Sequence, residues 1–547
     1  MKYLLLITSL LFQISLKAEK ADNESIVRRL YIDLFGRLPE VEELFSAKTE
    51  LSKVGYETFV ETMLDTEDFT KHLSYKVAQH YAPNLSEKRN SAGDIDPNYF
   101  QQFVRMQNLI AGTYFKDDNF KGFIKDLTQG RGISTAKPAL YFYDNDESLE
   151  ELTGRFADRV LGIPLKCVQC HNHREYKDLY QIDFWGMATF FKNTEIIRIN
   201  TYKEATSLSS ISKLKGRAIS KLVDKEDYRP LRDWITNERK NNFILEGMDL
   251  EFPTPNRGRE SSSSRKLLTK QIILFEKETN LKYLNLRNPE DKNELFNALL
   301  PGINKVPIRI LKPRTFLSSW VLSPKNPYLK KATTNWVSYW IFGRAFKMPL
   351  TDIYGKGMND ELLNQYSDFL LKNDFSLKKL IKKMVLSDLY LSKPALKTNN
   401  TLVQSFKQRP LRQIPIYVLE KLISDTELNS ARKNFDQKMA LTADTLSYFP
   451  KDEESCEASF NSTLPQHVFI NFSEQINNFI NRKIPKDKVD DKKFISDLIS
   501  HFYSRKAKEE EVSLLAKTLI DKEDNERTST YKNILWVIIN NPEMRLY

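Results

Sequence analysis

Cysteine is scarce in this chain, with three residues in 547. A secreted scaffold held together by disulfides carries many more, so that class is excluded. Histidine is nearly as rare, at six: His72, His80, His171, His173, His467 and His501. No G-x-S-x-G, H-E-x-x-H or P-loop pattern occurs, which removes the common hydrolase and nucleotide-binding signatures. Carboxylates are abundant, yet no spacing singles out an acid/base pair. Beyond the first residues no apolar run is long enough for a membrane helix, so no transmembrane segment is expected. Strand-like alternation is also rare. The short candidates are 197–199 and 306–311, and any sheet should be minor.

Hydrophobic residues make up 41% and aromatics 12%, enough to build sizeable cores and to argue against wholesale disorder. At the N-terminus, Lys2 precedes a short apolar run from Tyr3 to Ile14, and Leu16-Lys17-Ala18 ends in a small residue. Polar sequence follows at once (Glu19, Lys20, Asp22). This reads as a signal peptide over 1–18 and predicts export to the periplasm or the extracellular space. Net charge is +11, and removing Lys2 and Lys17 with the signal leaves +9. The lysines mostly alternate with acids. Pairs such as Lys378-Lys379 and Lys382-Lys383 fit a solvated helix face, so no nucleic-acid partner is expected.

Helical spacing dominates, and the predicted fold is mainly α: multi-helix, in two helical regions. Ile26, Val27, Leu30, Tyr31, Leu34 and Phe35 form one apolar stripe, which Gly36 ends, and Pro39 can start the next helix. Phe59, Val60, Met63 and Leu64 form another. The two ends of the chain echo each other. Leu30, Leu34, Phe35, Arg37, Glu42 and Glu43 align with Leu498, Phe502, Tyr503, Arg505, Glu510 and Glu511. Tyr56, Phe59, Val60, Met63, Leu64 and Phe69 then align with Tyr531, Ile534, Leu535, Ile538, Ile539 and Met544. The segment 380–390 echoes the latter part again. One helical unit used more than once would explain this, although amphipathic helices resemble one another by default. Pro253–Ser264, with two prolines, Gly258 and four serines, reads as a linker. The expected domains are 19–250 and 305–547, with 251–304 as an irregular connection. The stretch 444–465 reads as a long loop containing Cys456, an incidental thiol.

The sharp chemical feature is Cys167-Val168-Gln169-Cys170-His171. Two thiols three apart can each add to a haem vinyl group, and the adjacent histidine then lies under the iron as proximal ligand. Phe156, Val160 and Leu161 precede the motif. Tyr180, Phe184, Trp185, Met187, Phe190 and Phe191 follow it, and they could wall a flat apolar cofactor or simply be core. Zinc held by Cys167, Cys170, His171 and His173 is an alternative, although these ligands are crowded into one segment. A disulfide is another. For a sixth iron ligand, Met187, His80 and His72 are candidates, while His173 is badly placed to reach the opposite haem face. An open sixth position would allow peroxide or oxygen chemistry, and a filled one electron transfer.

These residues resemble the planctomycete-type secreted cytochrome-like proteins, which pair an N-terminal cytochrome-like domain with a C-terminal partner domain, both of unknown function. The N-terminal resemblance starts at Arg28-Arg29-Leu30-Tyr31-Ile32-Asp33-Leu34 and continues through Gly36-Arg37-Leu38-Pro39 and Phe69. It is densest from Leu161-Gly162 to Phe191, across the motif, His173 and Asp183-Phe184-Trp185-Gly186. The C-terminal resemblance runs through Pro313-Arg314, Trp320, Asn326-Pro327, Asn335-Trp336, Trp340, Phe342-Gly343-Arg344, Phe375 to Ile381, Ser387 and Arg409-Pro410-Leu411, and on to Trp536 and Asn540. Arg174-Glu175 departs from the family's usual Pro-Phe after the second histidine. The resemblance implies a haem c cofactor and an exported redox or polysaccharide-related partner. It names no substrate, so the sequence does not decide whether the chain is an enzyme. A non-redox exported binding module or scaffold remains the competing function.

Overall fold

The computed structural model describes residues 19–88, 96–130, 137–143, 148–176, 179, 181–191, 194–195, 242–245, 248–251, 313–357, 359–395, 403, 405–415, 417–419, 421, 469–485, 487 and 489–547. The expected signal peptide, the linker at 253–264, the strand candidates at 197–199 and 306–311, Cys456 and His467 all lie outside them.

Helices make most of the described chain, as the apolar spacing predicts. The first region holds α1 (Asn23–Leu30, continued by a π turn, Tyr31–Phe35), α2 (Val41–Val54), α3 (Tyr56–Leu64), α4 (Glu67–Tyr81), α5 (Pro83–Glu87), α6 (Pro97–Ile110), α7 (Phe120–Gln129), α8 (Leu149–Phe156, continued by a π turn, Ala157–Leu161) and α9 (Gln181–Phe191). The second holds α10 (Pro313–Val321), α11 (Tyr328–Phe342), α12 (Asp360–Lys372), α13 (Leu377–Val385), α14 (Asp388–Leu391), α15 (Glu474–Lys483), α16 (Asp491–Tyr503), α17 (Glu509–Lys517), α18 (Asp524–Asn540) and α19 (Pro542–Arg545). Sheet is minor. Strands β1 (Thr194–Glu195), β2 (Asn242–Leu245) and β3 (Met248–Glu251) pair antiparallel in the order β1-β3-β2. A two-residue ladder joins β4 (Lys347–Met348) to β5 (Lys356–Gly357).

Local chemistry explains the boundaries. Asp22 caps α1 by accepting the Ser25 N–H at 2.8 Å, and Arg28 and Arg29 occupy its last turn, where the dipole favours cations. Ser148 and Glu151 form a reciprocal capping box at the start of α8. Helix α13 buries Leu377, Leu380, Ile381, Met384 and Val385 on one face. The lysines of its other face meet acids of α3. Lys382 bonds Glu57 at 2.8 Å and Glu61 at 2.5 Å, and Lys378 pairs with Asp65.

The two regions share one core. Buried apolar residues from Ala21 to Phe191 and from Leu317 to Phe406 form a single cluster. A second cluster, Leu419 to Met544, belongs to the C-terminal helices. Asp33 is fully buried where α1 meets the second region. Its carboxylate accepts the hydroxyls of Tyr390 and Tyr547, each at 3.0 Å, and Arg412 at 3.3 Å. Its carbonyl accepts the Trp340 indole N–H at 3.0 Å.

The sequence echo corresponds to repeated geometry. In the first unit Gly36 ends the helix at φ +65°, and Arg37 then forks onto Glu43 at 2.6 and 2.7 Å and reaches Asp68 at 3.1 Å. In the last unit Ser504 sits at φ +52°, and Arg505 forks onto Glu511 at 2.9 and 2.7 Å and reaches Glu543. Thr66 and Asn541 cap the helices that carry Asp68 and Glu543. A third unit starts at Phe342-Gly343-Arg344, with Gly343 at φ +71°, and closes with Ser387 capping α14. There Arg344 is buried and bonds the Val403 carbonyl at 2.8 Å.

Candidate functional site

The C-x-x-C-H segment begins where α8 and its π turn end at Gly162, in the left-handed region (φ +66°). A Cβ there would lie 2.8 Å from Ile353 and 3.0 Å from Ala332, so only glycine lets the second region approach this closely. The Ile353 N–H donates to the Gly162 carbonyl at 2.8 Å. A 3₁₀ turn, Leu165–Val168, follows. It buries Leu165 and Val168 and turns Lys166 and Cys167 outward, as the threefold period requires. Cys170 and His171 are exposed as well. The two thiols are not joined in a disulfide.

The two histidines of the segment are held in opposite ways. His171 Nδ1 lies 2.8 Å from the Asn172 carbonyl, which can only accept. In the neutral ring the proton is therefore on Nδ1, and the lone pair is left on Nε2, the ordinary arrangement of a metal-binding imidazole. His173 Nδ1 instead accepts the backbone N–H groups of Glu175 at 3.1 Å and Tyr176 at 3.0 Å. In the neutral ring its proton is thus on Nε2. The His173 backbone N–H donates to the Leu179 carbonyl at 2.9 Å, and its ring stacks on Tyr176 with centroids 4.3 Å apart.

Tyr176 leads to the second region. Its hydroxyl donates to Asp352 at 2.7 Å, and its ring meets Tyr354 at 5.8 Å. Asp352 lies in the loop between β4 and β5, is 4% exposed, and also accepts the Tyr354 N–H at 2.9 Å. Burial raises the Asp352 carboxyl above its ordinary value, against the pull of the Tyr176 hydroxyl. Burial likewise pushes Asp158, on the π turn, up to about 7, opposed by Arg159 and Lys166 and reinforced by Asp352. The Cys167 thiol is raised too, first by desolvation and then by Asp158 and Asp352. Such surroundings disfavour a thiolate. Reactive C-x-x-C thiols sit in the reverse, electropositive setting.

Residues 12–196 match the family model PSCyt2, a protein of unknown function (DUF1549), and residues 313–431 match PSD1, a protein of unknown function (DUF1553). The chain thus carries both of the planctomycete-type cytochrome-like domains of unknown function. No curated protein and no solved structure matches it. The C-x-x-C-H motif lies in the PSCyt2 domain, and Asp352, Ile353 and Tyr354 lie in the PSD1 domain.

The remaining candidates of the PSCyt2 domain are packed within it or against PSD1. Met187, Phe184, Phe190 and Phe191 on α9 are buried in the shared core, and Phe191 rests on Phe156 at 5.0 Å. Tyr180 lies outside the described residues. His80 is buried and stacked on Trp336 of α11 at 4.6 Å, its Nε2 3.2 Å from the Arg159 carbonyl. His72 is buried against Trp340 and Tyr417. Burial holds both imidazoles well below their ordinary range, hence neutral. His501 bonds Glu40, far along the chain from the motif. Among the described residues no three His, Cys, Asp or Glu side chains gather as a metal site, so Cys167, Cys170, His171 and His173 are not drawn together as a zinc set. Asp158, Tyr176, Asp352 and Tyr354 are the site residues that sequence reasoning missed. The two on PSD1 lie more than 170 positions from the motif, and no local pattern marked them.

Proposed function

We propose that this chain is an exported c-type haem protein that acts in electron transfer or another redox step with an exported partner. The observation that carries the reading is His171, which keeps its Nε2 lone pair one residue after Cys170 on an exposed turn. Cys167 and Cys170 would hold the haem through thioethers, and His171 would ligate its iron. When bound, the haem supplies one-electron chemistry. Export rests on Lys2, the apolar run and Ala18. Glu19 and Lys20, the first residues after that cleavage point, pair with Lys393 and Ser392.

A second reading, a non-redox exported scaffold or binding module, has one observation in its favour: Phe184, Phe190 and Phe191 of α9 are buried in the shared core. One experiment separates the two. The full chain is expressed with its own signal in a host that matures c-type cytochromes, and its spectrum and denatured mass are recorded. The expected result is a Soret band, a haem adduct that survives denaturation and an N-terminus at Glu19, with colour lost in Cys167→Ala/Cys170→Ala. A colourless, unmodified protein beside a maturing cytochrome control would overturn the haem reading and leave the scaffold.

A further inference from the structure

The PSCyt2 motif is built onto PSD1. The return segment after the motif is closed by three backbone N–H groups: His173 to the Leu179 carbonyl, and Glu175 and Tyr176 to the His173 ring. That ring is clamped by the stacked Tyr176, and Tyr176 is tied by its hydroxyl to Asp352 of PSD1. Asp352 is itself fixed by its loop, donating its N–H to the Pro349 carbonyl at 3.0 Å and accepting from Tyr354. One residue on, Ile353 grips the Gly162 carbonyl on the near side of the motif. The segment 163–175 is therefore held at both ends by two consecutive PSD1 residues.

We infer that the PSD1 loop at Asp352–Ile353 is the intramolecular partner of the C-x-x-C-H motif, with Asp352 acting through Tyr176 to latch His173 as a positioning residue and leave His171 as the metal-binding histidine. Two features agree with this assignment. The latch occupies His173 Nδ1 twice and puts the proton on Nε2, so His173 offers no lone pair, whereas His171 does. The hydroxyl–carboxylate bond is charge-assisted and part-buried, the strong kind. The pairing of the two domains in one chain then has a physical content: PSCyt2 supplies the cofactor-binding atoms and PSD1 fixes the loop that presents them.

The inference shares with the proposed function only the assignment of His171, and its test uses the full chain without cofactor, so the two fail separately. Amide hydrogen exchange is followed at His173, Glu175 and Tyr176, with the amides of α13 as reference. Tyr176→Phe keeps the stack and removes only the hydroxyl. It should speed exchange at these amides about tenfold or more while α13 is unchanged. Asp352→Ala should do the same, the double variant should exceed neither single one, and Asp352→Asn, which keeps an accepting oxygen, should restore most of the protection. Imidazole ¹⁵N shifts should put the proton on Nε2 of His173 and on Nδ1 of His171. Unchanged exchange in Tyr176→Phe, multiplicative effects in the double variant, or the reversed tautomers would overturn the latch. Because Tyr176→Phe leaves the β4–β5 loop intact, it decides the matter even where Asp352→Ala disturbs folding.

Discussion

Arg37 and Arg505 stand at the same place in two copies of one helical unit, and each gathers two carboxylates in the same order. Around that shared network the copies differ. In the first, Gly36 lies against the buried ring of His72, and a Cβ there would come within 2.4 Å of Nδ1. In the last, the equivalent Ser504 carries a side chain, and its hydroxyl accepts from Arg28 at 3.3 Å. Arg28 belongs to the first copy. It also donates to the carbonyls of Phe502 at 2.7 Å, Glu543 at 3.2 Å and Met544 at 2.8 Å. The repeat therefore fixes how each unit folds, and the residues outside it fix what each unit joins. The first copy is wedged into the shared core, and the last has its own core and is clasped from outside by Arg28.

Removing the clasp is the strongest way to break this relation. Arg28→Ala takes the Arg28 donor from two buried carbonyls and one part-buried carbonyl and empties the space of a large side chain, at a cost of about 3–5 kcal/mol. Limited proteolysis with a thermal melt should show residues 491–547 released ahead of the rest. A cooperative melt that shifts by no more than a degree, with no new cleavage site, would mean that the two copies are held together elsewhere.

Exchanging the residues at the left-handed position sharpens the comparison next. Gly36→Ala drives a methyl group into His72 and imposes strain at φ +65°, so a loss of about 2–4 kcal/mol is expected. Ser504→Ala meets the same backbone demand already borne by serine and loses one long hydrogen bond, so about 1 kcal/mol or less is expected. Urea melts of both variants check the inequality. Equal losses would show that neither the His72 contact nor the left-handed backbone penalises a methyl group at position 36.

What the sequence disclosed follows the same division. The helices and the echo were legible because period, caps and paired charges are local properties: Arg37 with Glu43 and Arg505 with Glu511 are each six residues apart. The motif was legible for the same reason. Its surroundings were not. Tyr176 and Asp352 are brought together by the docking of PSD1, which no spacing encodes. Phe184, Met187, Phe190 and Phe191 carry the composition of a cofactor wall and of a core alike, and burial alone assigns them to the core. Likewise, the α13 lysines read as a solvated face because their partners Glu57, Glu61 and Asp65 sit over 300 residues away.

The smallest effect tests a carboxylate–imidazole contact between the copies. Glu40 begins α2 in the first copy, and its carboxylate lies 3.3 Å from Nδ1 of His501 on α16. Lys508 holds the corresponding place in the last copy and cannot accept such a bond, so the contact runs one way only. The bond from His501 holds the Glu40 carboxyl below its ordinary value of 4.5, against partial burial. A carboxyl whose folded value is depressed adds stability above its unfolded value and loses it as pH falls through the folded one. Wild type should therefore lose slightly more stability than Glu40→Gln between pH 5 and pH 3 (both bounds about one unit wide). Glu40 is 63% exposed, so screening keeps the difference to roughly 0.5 kcal/mol or less. Thermal melts of the two proteins across that range measure it. Parallel curves would show that the Glu40–His501 bond contributes nothing to joining the copies, leaving Arg28 as the clasp.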